Sequence, residues 1–391
     1  MRYDVVVAGL GAMGSSAVYQ LAKAGASVLG VDRYQPPHAL GSTHGDTRIT
    51  RVAVGEGLAY VPLVRRSHEI WREIEREAGV ELLSQCGGLV LAPRAGTVAM
   101  HGSDSFLEQT QAAALAYGVP HERLDTPQLT ARFPQFALAD DEQAYYEPGA
   151  GFVRPEVAVE AQLRLARERG ATLATGERVL GYDDHGTQVT VRTTSRAVEA
   201  STLVVTAGPW VSELVPELAD AVKIHRQVLF WFDLRDPSSY ARLRDSPVYI
   251  WWPGGDPDQV IYGFPMIDGP SGGAKVAREQ YAVETTADGV DRAVTPDEIE
   301  EMYERHVRHR LPELSGKCVK AKACLYTVTP DSRFLIDRLP SMPNVIVASP
   351  CSGHGFKHSA AIGEALAQLA TTGGSAIDLR AFAFAAPGPA A

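Results

Sequence analysis

The chain has 391 residues, enough on a prior of ~100–200 per domain for about two or three domains with a large core. Its net charge of -10 argues against a nucleic-acid partner, which calls for a basic face, and against an anionic membrane surface, while leaving room for a small anionic ligand held by local cations. The composition, 45% hydrophobic and 21% charged, is that of a globular protein.

The N-terminus, MRYDVVVAGLGAMG, enters an apolar run at once, with no long leader core and no small-residue cleavage site. No stretch reaches the ~20 apolar residues of a membrane span. Cys86, Cys318, Cys324 and Cys351 form no CxxC pair and no dense framework, so they read as reduced thiols of a cytoplasmic protein unless one has a special task. The Ala/Pro-rich tail AFAAPGPAA is expected to fray.

The most specific local pattern is DVVVAGLGAMGSSAVYQLAKAGASVLGVDRY. Val5 to Ala8 reads as a buried strand. Gly9, Gly11 and Gly14 supply GxGxxG, and Ala17, Leu21 and Ala22 follow at helical spacing. A second strand, Ser27 to Val31, ends in Asp32, 23 residues after Gly9. The glycines serve a tight turn, close approach of backbone to a pyrophosphate, and helix–strand packing. The helix start offers free N–H groups to phosphate, and Asp32 stands where an acid accepts from a ribose. The pattern indicates a dinucleotide site and does not separate NAD from FAD.

In HALGSTHGDTRITRVAVGEG, Arg48 and Arg51 are three apart and on a helix would share a face, with His44 and Asp46 one turn earlier. Two readings stand. One is a solvated basic turn. The other is an anion pocket beside the cofactor, where the planar arginine fork binds a carboxylate.

Helices are expected over Leu63–Gly79, Leu107–Tyr117 and Pro155–Arg169, the last capped by Gly170, and a short capped helix in TPQLTARFPQF. GGLVLAP, the runs around Leu180 and Val189, and STLVVTAGPW read as strands. The glycine exit of the last suits a second approach to the cofactor, or an ordinary crossing. From Lys223 to Ile267 the chain is rich in strands and aromatics, with four of the five tryptophans between Trp210 and Trp252. Period-2 alternation favours core packing; an aromatic wall around a ligand is the sharper alternative. Helix follows at Pro296–His309.

NVIVASPCSGHGFKHSAAIGEALAQLA reads as a strand, Val345–Ala348, a Gly-rich turn, Ser352–Gly355, and a helix from about Ser359. Such a turn suits a negative or electron-rich group. Lys357 just inside it opposes the helix dipole, which hints at a functional charge. In KACLYTVTPDSRFLID, Cys324 and Tyr326 would face the same side of a strand ahead of the Thr329-Pro330-Asp331 turn.

These motifs, GLGAMGSSAVYQLAKAG, HGDTRITR, YGFP, CLYTVTPDSRFLID and SGHGFKHS in that order, resemble the monomeric sarcosine oxidase and N-methyltryptophan oxidase group of flavin-dependent amine oxidases, over residues 4 to about 375. The resemblance implies an α/β (mixed α+β) fold, with a Rossmann-like FAD domain of glutathione-reductase type (1–86, 149–216 and 323–391) interleaved with a mixed-sheet substrate domain (87–148 and 217–322). It implies FAD held covalently through Cys324. It assigns FAD contacts to Gly9, Gly11, Ala12, Met13, Gly14, Asp32, Ser42, Thr43, Arg48, Val179, Ala207, Gly208 and Trp210, and to Gly353, Gly355, Phe356 and Lys357.

By the same resemblance Arg51 and Lys357 clamp a substrate carboxylate, and Tyr262 and Tyr326 line the substrate pocket. Arg48 is a cationic partner of the flavin, His44 lies near the flavin's dimethylbenzene edge, and Lys275 activates oxygen. The chain departs from the family at Val54, where sarcosine oxidases carry an aromatic, and at Glu279, where an active-site histidine is expected. A glutamate near the amine could favour a more basic amine or a cationic side chain; a surface position for Glu279 is the alternative. The expected activity is oxidation of a secondary or N-methylated amino acid by O2 in a monomer. Sarcosine, other N-methyl amino acids, cyclic imino acids and glycated amino acids stay open, as does a flavin dehydrogenase using another acceptor. A flavin protein without catalysis, or an NAD enzyme, forms a third class.

Overall fold

In the computed structural model, which describes residues 2–384, the N-terminal apolar run is the strand Arg2–Ala8. It has parallel neighbours on both sides, Ala197–Val205 and Val28–Asp32. Helices and sheet cover it on both faces, which is why Val5–Ala8 is apolar without alternation. The sheet has eight strands. Val179–Asp184 and Val189–Thr193 run antiparallel up to Ala197–Val205 at one edge, and Thr172–Thr175 flanks Val28–Asp32 at the other. Met342–Ser349 pairs in parallel with Ala197–Val205 and carries Leu335–Leu339 beside it.

The helix after the glycine turn, Ala12–Lys23, packs against both Pro155–Glu168 and Ser359–Thr372. Small residues let these backbones approach. Ser15 Oγ donates to Gln162 Oε1 at 2.9 Å and Ser16 Oγ to Ala360 O at 3.1 Å, so the buried hydroxyls are satisfied. The helix Val61–Ala78 buries Val61, Val64, Ile70, Trp71 and Ile74 on one face, the i, i+3/i+4 spacing of its sequence. It ends at Gly79, φ 68°, in the left-handed cap conformation that glycine adopts without strain.

The second sheet has nine strands. Gly88–Pro93, Glu142–Glu147 and Glu122–Asp125 form one flank, and Val248–Trp251, Ile261–Gly263, Ala274–Arg278 and Lys223–Leu234 continue it. Leu314–Val328 runs antiparallel along Lys223–Leu234, with Gln227 opposite Cys324, and passes unbroken through position 322/323, where the sequence reading divides the domains. Phe230, Phe232, Tyr249 and Trp251 bury into a core with Leu89, Leu124 and Met302, so most of the aromatic-rich segment is core. The expected helix Pro296–His309 is an α-helix only over Pro296–Met302, started by a Thr295/Glu298 capping box, and continues as a π-turn over Tyr303–Val307.

The helical alternative for Arg48 and Arg51 is not what forms. Arg48–Thr50 is a strand of a small third sheet with Gly151–Val153 and Leu83–Ser84. Its β-branched Ile49 and Thr50 suit that pairing. The tail from residue 385 lies outside the described residues. Among the described residues no helix is long and apolar enough to cross a membrane.

Candidate active site

Two cavities meet at the seam between the large sheets, and Arg48, Tyr326, Gly353 and Phe356 line both. The first begins at the glycine turn. Gly9, Gly11, Ala12 and Met13 form its floor, with Asp32, Ser42 and Thr43 beside them. Val179 and the exit Ala207, Gly208 and Trp210 form another wall of the same cavity, so the end of STLVVTAGPW faces the glycine turn across it. Gly353, Gly355 and Phe356 close the far end. Gly14 does not face the cavity. A Cβ there would lie 1.7 Å from Gly9 O and 2.7 Å from Thr206 Oγ1, so glycine lets the helix start hard against the strand.

Asp32 holds this floor in shape. Its carboxylate accepts from Leu10 N and Tyr34 N, both at 2.7 Å, which leaves a lone pair on each oxygen for a ligand hydroxyl. Ser42, which lines the same cavity, has its Oγ buried with no hydrogen-bond partner among the described residues. A helix N-terminus backed by glycine, an acid beyond it, and a channel on to Arg48 and Tyr326 fit FAD along the whole length.

The second cavity holds the groups with reaction chemistry. Cys324 is buried, its Sγ 3.7 Å from both Arg48 Nη2 and Ser42 O. Tyr326, two residues on along Leu314–Val328, lines the same cavity, as strand alternation requires. Its hydroxyl lies 3.4 Å from that of Tyr262, which comes from Ile261–Gly263. Burial raises both phenols above their ordinary range, so they stay neutral hydrogen-bonding groups.

Arg51 and Lys357 converge on a carboxylate of the chain itself. Arg51 Nη2 lies 3.2 Å from Glu56 Oε2, and Lys357 Nζ lies 2.9 Å from Glu56 Oε1. Burial works against the ionised Glu56, but Lys357 and Arg51 hold it well below the usual carboxylate range. Burial lowers Lys357 to about 8, with Glu56 opposing the shift. Arg51 Nε is buried without a hydrogen-bond partner among the described residues. Lys357 sits in a short turn, Phe356–His358, ahead of the helix Ser359–Thr372, and its Nζ also donates to His354 O at 3.0 Å.

Glu279 is not on the surface. It lines the second cavity with its carboxylate against His101 Nε2 at 3.0 Å. Val54 is sealed in the core and meets neither cavity. Lys275 and His44 also line neither cavity and lie behind the turn 45–48. Lys275 Nζ donates to Gly45 O at 2.7 Å, Thr47 O at 2.9 Å and Thr47 Oγ1 at 3.3 Å. Burial, then Arg48, lowers it well below an ordinary lysine. Burial and Arg48 likewise push His44 down to about 3, so it is neutral.

Sequence reasoning missed Glu56, His101 and His354. Glu56 stands in VGEG beside a flagged arginine, and a buried arginine's need for an anion could have found it. His354 lies inside the quoted SGHGF turn. His101 lies in a loop without any motif, and nothing local marks it. Among the described residues no group of three or more His, Cys, Asp or Glu side chains could hold a metal ion.

The fold and the two joined cavities define an FAD-binding oxidoreductase. A model of the FAD dependent oxidoreductase family matches residues 4–369, and the chain belongs to that family. It is 41% identical to the monomeric sarcosine oxidase of Streptomyces avermitilis over 376 residues, 96% of this chain and 95% of the relative. It is 35% identical to the N-methyl-L-tryptophan oxidase of Yersinia pestis over 388 residues, 98% of this chain and 99% of the relative. Among solved structures, NikD, an unusual amino acid oxidase essential for nikkomycin biosynthesis, superposes with a TM-score of 0.84 at 21% identity, covering 98% of this chain and 97% of the other. Glycine oxidase from Geobacillus kaustophilus gives 0.75 at 20%, covering 98% of each. At those identities the structures support the fold alone.

Proposed function

We propose that the chain is an oxygen-using oxidase of secondary or N-methylated amino acids, a monomer of the cytoplasm whose FAD is attached through Cys324. The supporting observation is the position of Glu56. Two buried cations, Arg51 and Lys357, already hold one carboxylate in a cavity that adjoins the cofactor channel. A substrate carboxylate has the chemistry to take that place.

Such a clamp fixes the carbon next to nitrogen relative to the cofactor, and positioning of this kind supplies a large share of rate enhancement. FAD, held by the residues of the first cavity, would supply an acceptor for a hydride equivalent and a route for the electrons to O2. Tyr262 and Tyr326 shape the space over the reacting carbon. Arg48 sets a cation at the junction of the two cavities, where it favours negative charge. His44, neutral and sealed, packs behind that arginine. Lys275 contributes a second cation from behind the 45–48 turn, and its field favours the charge that develops on oxygen. The substrate's oxidised product, an imine, is hydrolysed by water. Among the described residues the cofactor lobe takes in 2–86, 149–216 and 323–384, and the substrate lobe 87–148 and 217–322, with the strand Leu314–Val328 crossing from one to the other.

Two measurements test this. Oxygen uptake across sarcosine, other N-methyl amino acids, cyclic imino acids and glycated amino acids is expected to show turnover with peroxide release. Turnover with a dye acceptor but no peroxide would reject the oxidase in favour of a dehydrogenase, and a colourless purified protein would reject the flavin reading.

A further inference from the structure

The amine end of the same pocket carries a second charged pair, and the role assigned to it rests on the amino-acid oxidase reading. Glu279 follows the strand Ala274–Arg278, and its side chain is 9% exposed. Its Oε1 and Oε2 lie 3.0 and 3.1 Å from His101 Nε2, and Oε2 also accepts from Tyr281 OH at 3.0 Å. His101 is 4% exposed, with Nδ1 3.4 Å from Glu56 Oε1, an ion-pair contact without hydrogen-bond geometry. A line of alternating charge therefore runs from Lys357 through Glu56 and His101 to Glu279.

Gly353 locates the end of that line. A Cβ built there would lie 2.8 Å from His101 Nε2, 3.1 Å from Tyr326 Cε2 and 3.2 Å from Glu279 Oε1. Gly353 lines both cavities, so the pair stands where the cofactor channel opens into the substrate cavity.

We propose that Glu279 receives the substrate nitrogen in its ammonium form, with His101 as the residue that positions it, and so makes the pocket select a cationic amine over a neutral group of the same shape. Oε1 has only His101 as a partner, so one side of the carboxylate is open to a cation, with or without an N–H. A buried carboxylate is tolerated only when compensated, and His101 supplies the compensation. Burial opposes charge on His101, but Glu279 and Glu56 raise it to about 9, so it is protonated at neutral pH. In a poorly solvated pocket the attraction between a carboxylate and an ammonium is several times its value in water.

The selection has a kinetic consequence. The amine must shed a proton before its lone pair can stabilise the developing iminium. Glu279 stabilises the protonated amine, so it raises the pH at which the amine becomes reactive. Of the other ionisable groups near Glu279, Tyr281, Tyr262 and Tyr326 are raised by burial and neutral in this range, while Lys357 interacts with it as a charge within the same cavity. Around His101 stand Glu56, held ionised, and His354, which burial keeps neutral, at 4.8 Å between ring centres. Arg51 and Lys357 lie beyond Glu56 and act in the opposite sense, favouring loss of the amine proton.

The test uses the holoenzyme and two ligands of one shape, glycine betaine and its carbon isostere 3,3-dimethylbutanoate. Calorimetric titration is expected to show betaine bound about tenfold tighter or better, and Glu279→Gln to abolish that preference. Glu279→Asp, which keeps the charge, retains part of it. In anaerobic mixing with an N-methyl amino acid, Glu279→Gln moves the rise in flavin-bleaching rate to lower pH by about one unit. His101→Gln moves it to higher pH, because Glu279 then acts uncompensated. Opposite shifts from two partners in one pair do not arise from loosened packing. Equal affinity of wild type for the two ligands, or superimposable pH profiles of wild type and Glu279→Gln, overturns the proposal. If no amino acid bleaches the flavin, the oxidase reading fails instead, and the two-ligand comparison still decides the role of Glu279.

Discussion

Lys357 Nζ lies 2.9 Å from Glu56 Oε1, with the two side chains 4% and 1% exposed. Nearly complete burial means that each charge depends on the other and on Arg51. Removing one partner of such a group leaves a buried charge uncompensated, at a cost of about 3–5 kcal/mol.

Glu56→Gln therefore has two expected effects of opposite sign. The free variant is destabilised by about that amount, because Arg51 and Lys357 lose their anion. A carboxylate ligand then restores the anion and binds more tightly, by about tenfold or more. Thermal unfolding with and without 3,3-dimethylbutanoate checks both: ligand raises the melting temperature of the variant more than that of wild type. An equal rise in the two proteins would mean that Glu56 does not occupy the ligand's place.

The pH dependence of carboxylate binding follows from Lys357. Burial lowers it to about 8. Below that value it is a cation and attracts a carboxylate; above it the group becomes a neutral amine and the attraction is lost. Affinity for 3,3-dimethylbutanoate is thus flat on the acid side and falls as pH rises through about 8. Lys357→Arg, which cannot shed its proton in this range, flattens the fall. Calorimetric titration from pH 6 to 10 gives the comparison. A wild-type affinity that does not change across that range would remove Lys357 from the clamp.

Cys324→Ser tests the tether. Wild-type protein precipitated with acid is expected to leave yellow colour in the pellet, and the variant to leave it in the supernatant. Colour in the wild-type supernatant would reject attachment at Cys324. Leu314–Val328 places Cys324 and Tyr326 on one face, and Arg48 comes to the same point from Arg48–Thr50.

Local rules account for much of what was legible. Gly9, Gly11 and Asp32 answer to steric and hydrogen-bonding demands within one strand–turn–helix unit, so their spacing is enough to read them. Arg51 and Lys357 needed order along the chain, since 306 positions separate them and only the fold brings them onto Glu56. Arg48 lines both cavities, but its backbone follows β-branched Ile49 and Thr50 into a strand rather than a helix. The aromatic-rich segment was ambiguous because alternation reports burial, not what lies opposite. Tyr262 reaches the cavity while Phe232 and Trp251 fill core. His101 was invisible, since its meaning comes wholly from Glu279 and Glu56, distant in sequence.

The role proposed for Lys275 lies in the oxidative half of the reaction. All three of its N–H donors have acceptors, Gly45 O, Thr47 O and Thr47 Oγ1, and burial lowers its proton affinity. The three acceptors favour its protonated form against that shift, and a cation with little water to screen it acts on charge that appears nearby without reorganising. It lines neither cavity, so its contact with the amino acid is expected to be indirect. Lys275→Met should therefore slow flavin reoxidation by O2 by about 100-fold or more, the scale of losing one preorganised donor, while flavin reduction by substrate changes far less. Rapid mixing measures the two half-reactions separately. Equal slowing of both would assign Lys275 to holding the 45–48 turn, and Arg48 with it, instead of to oxygen.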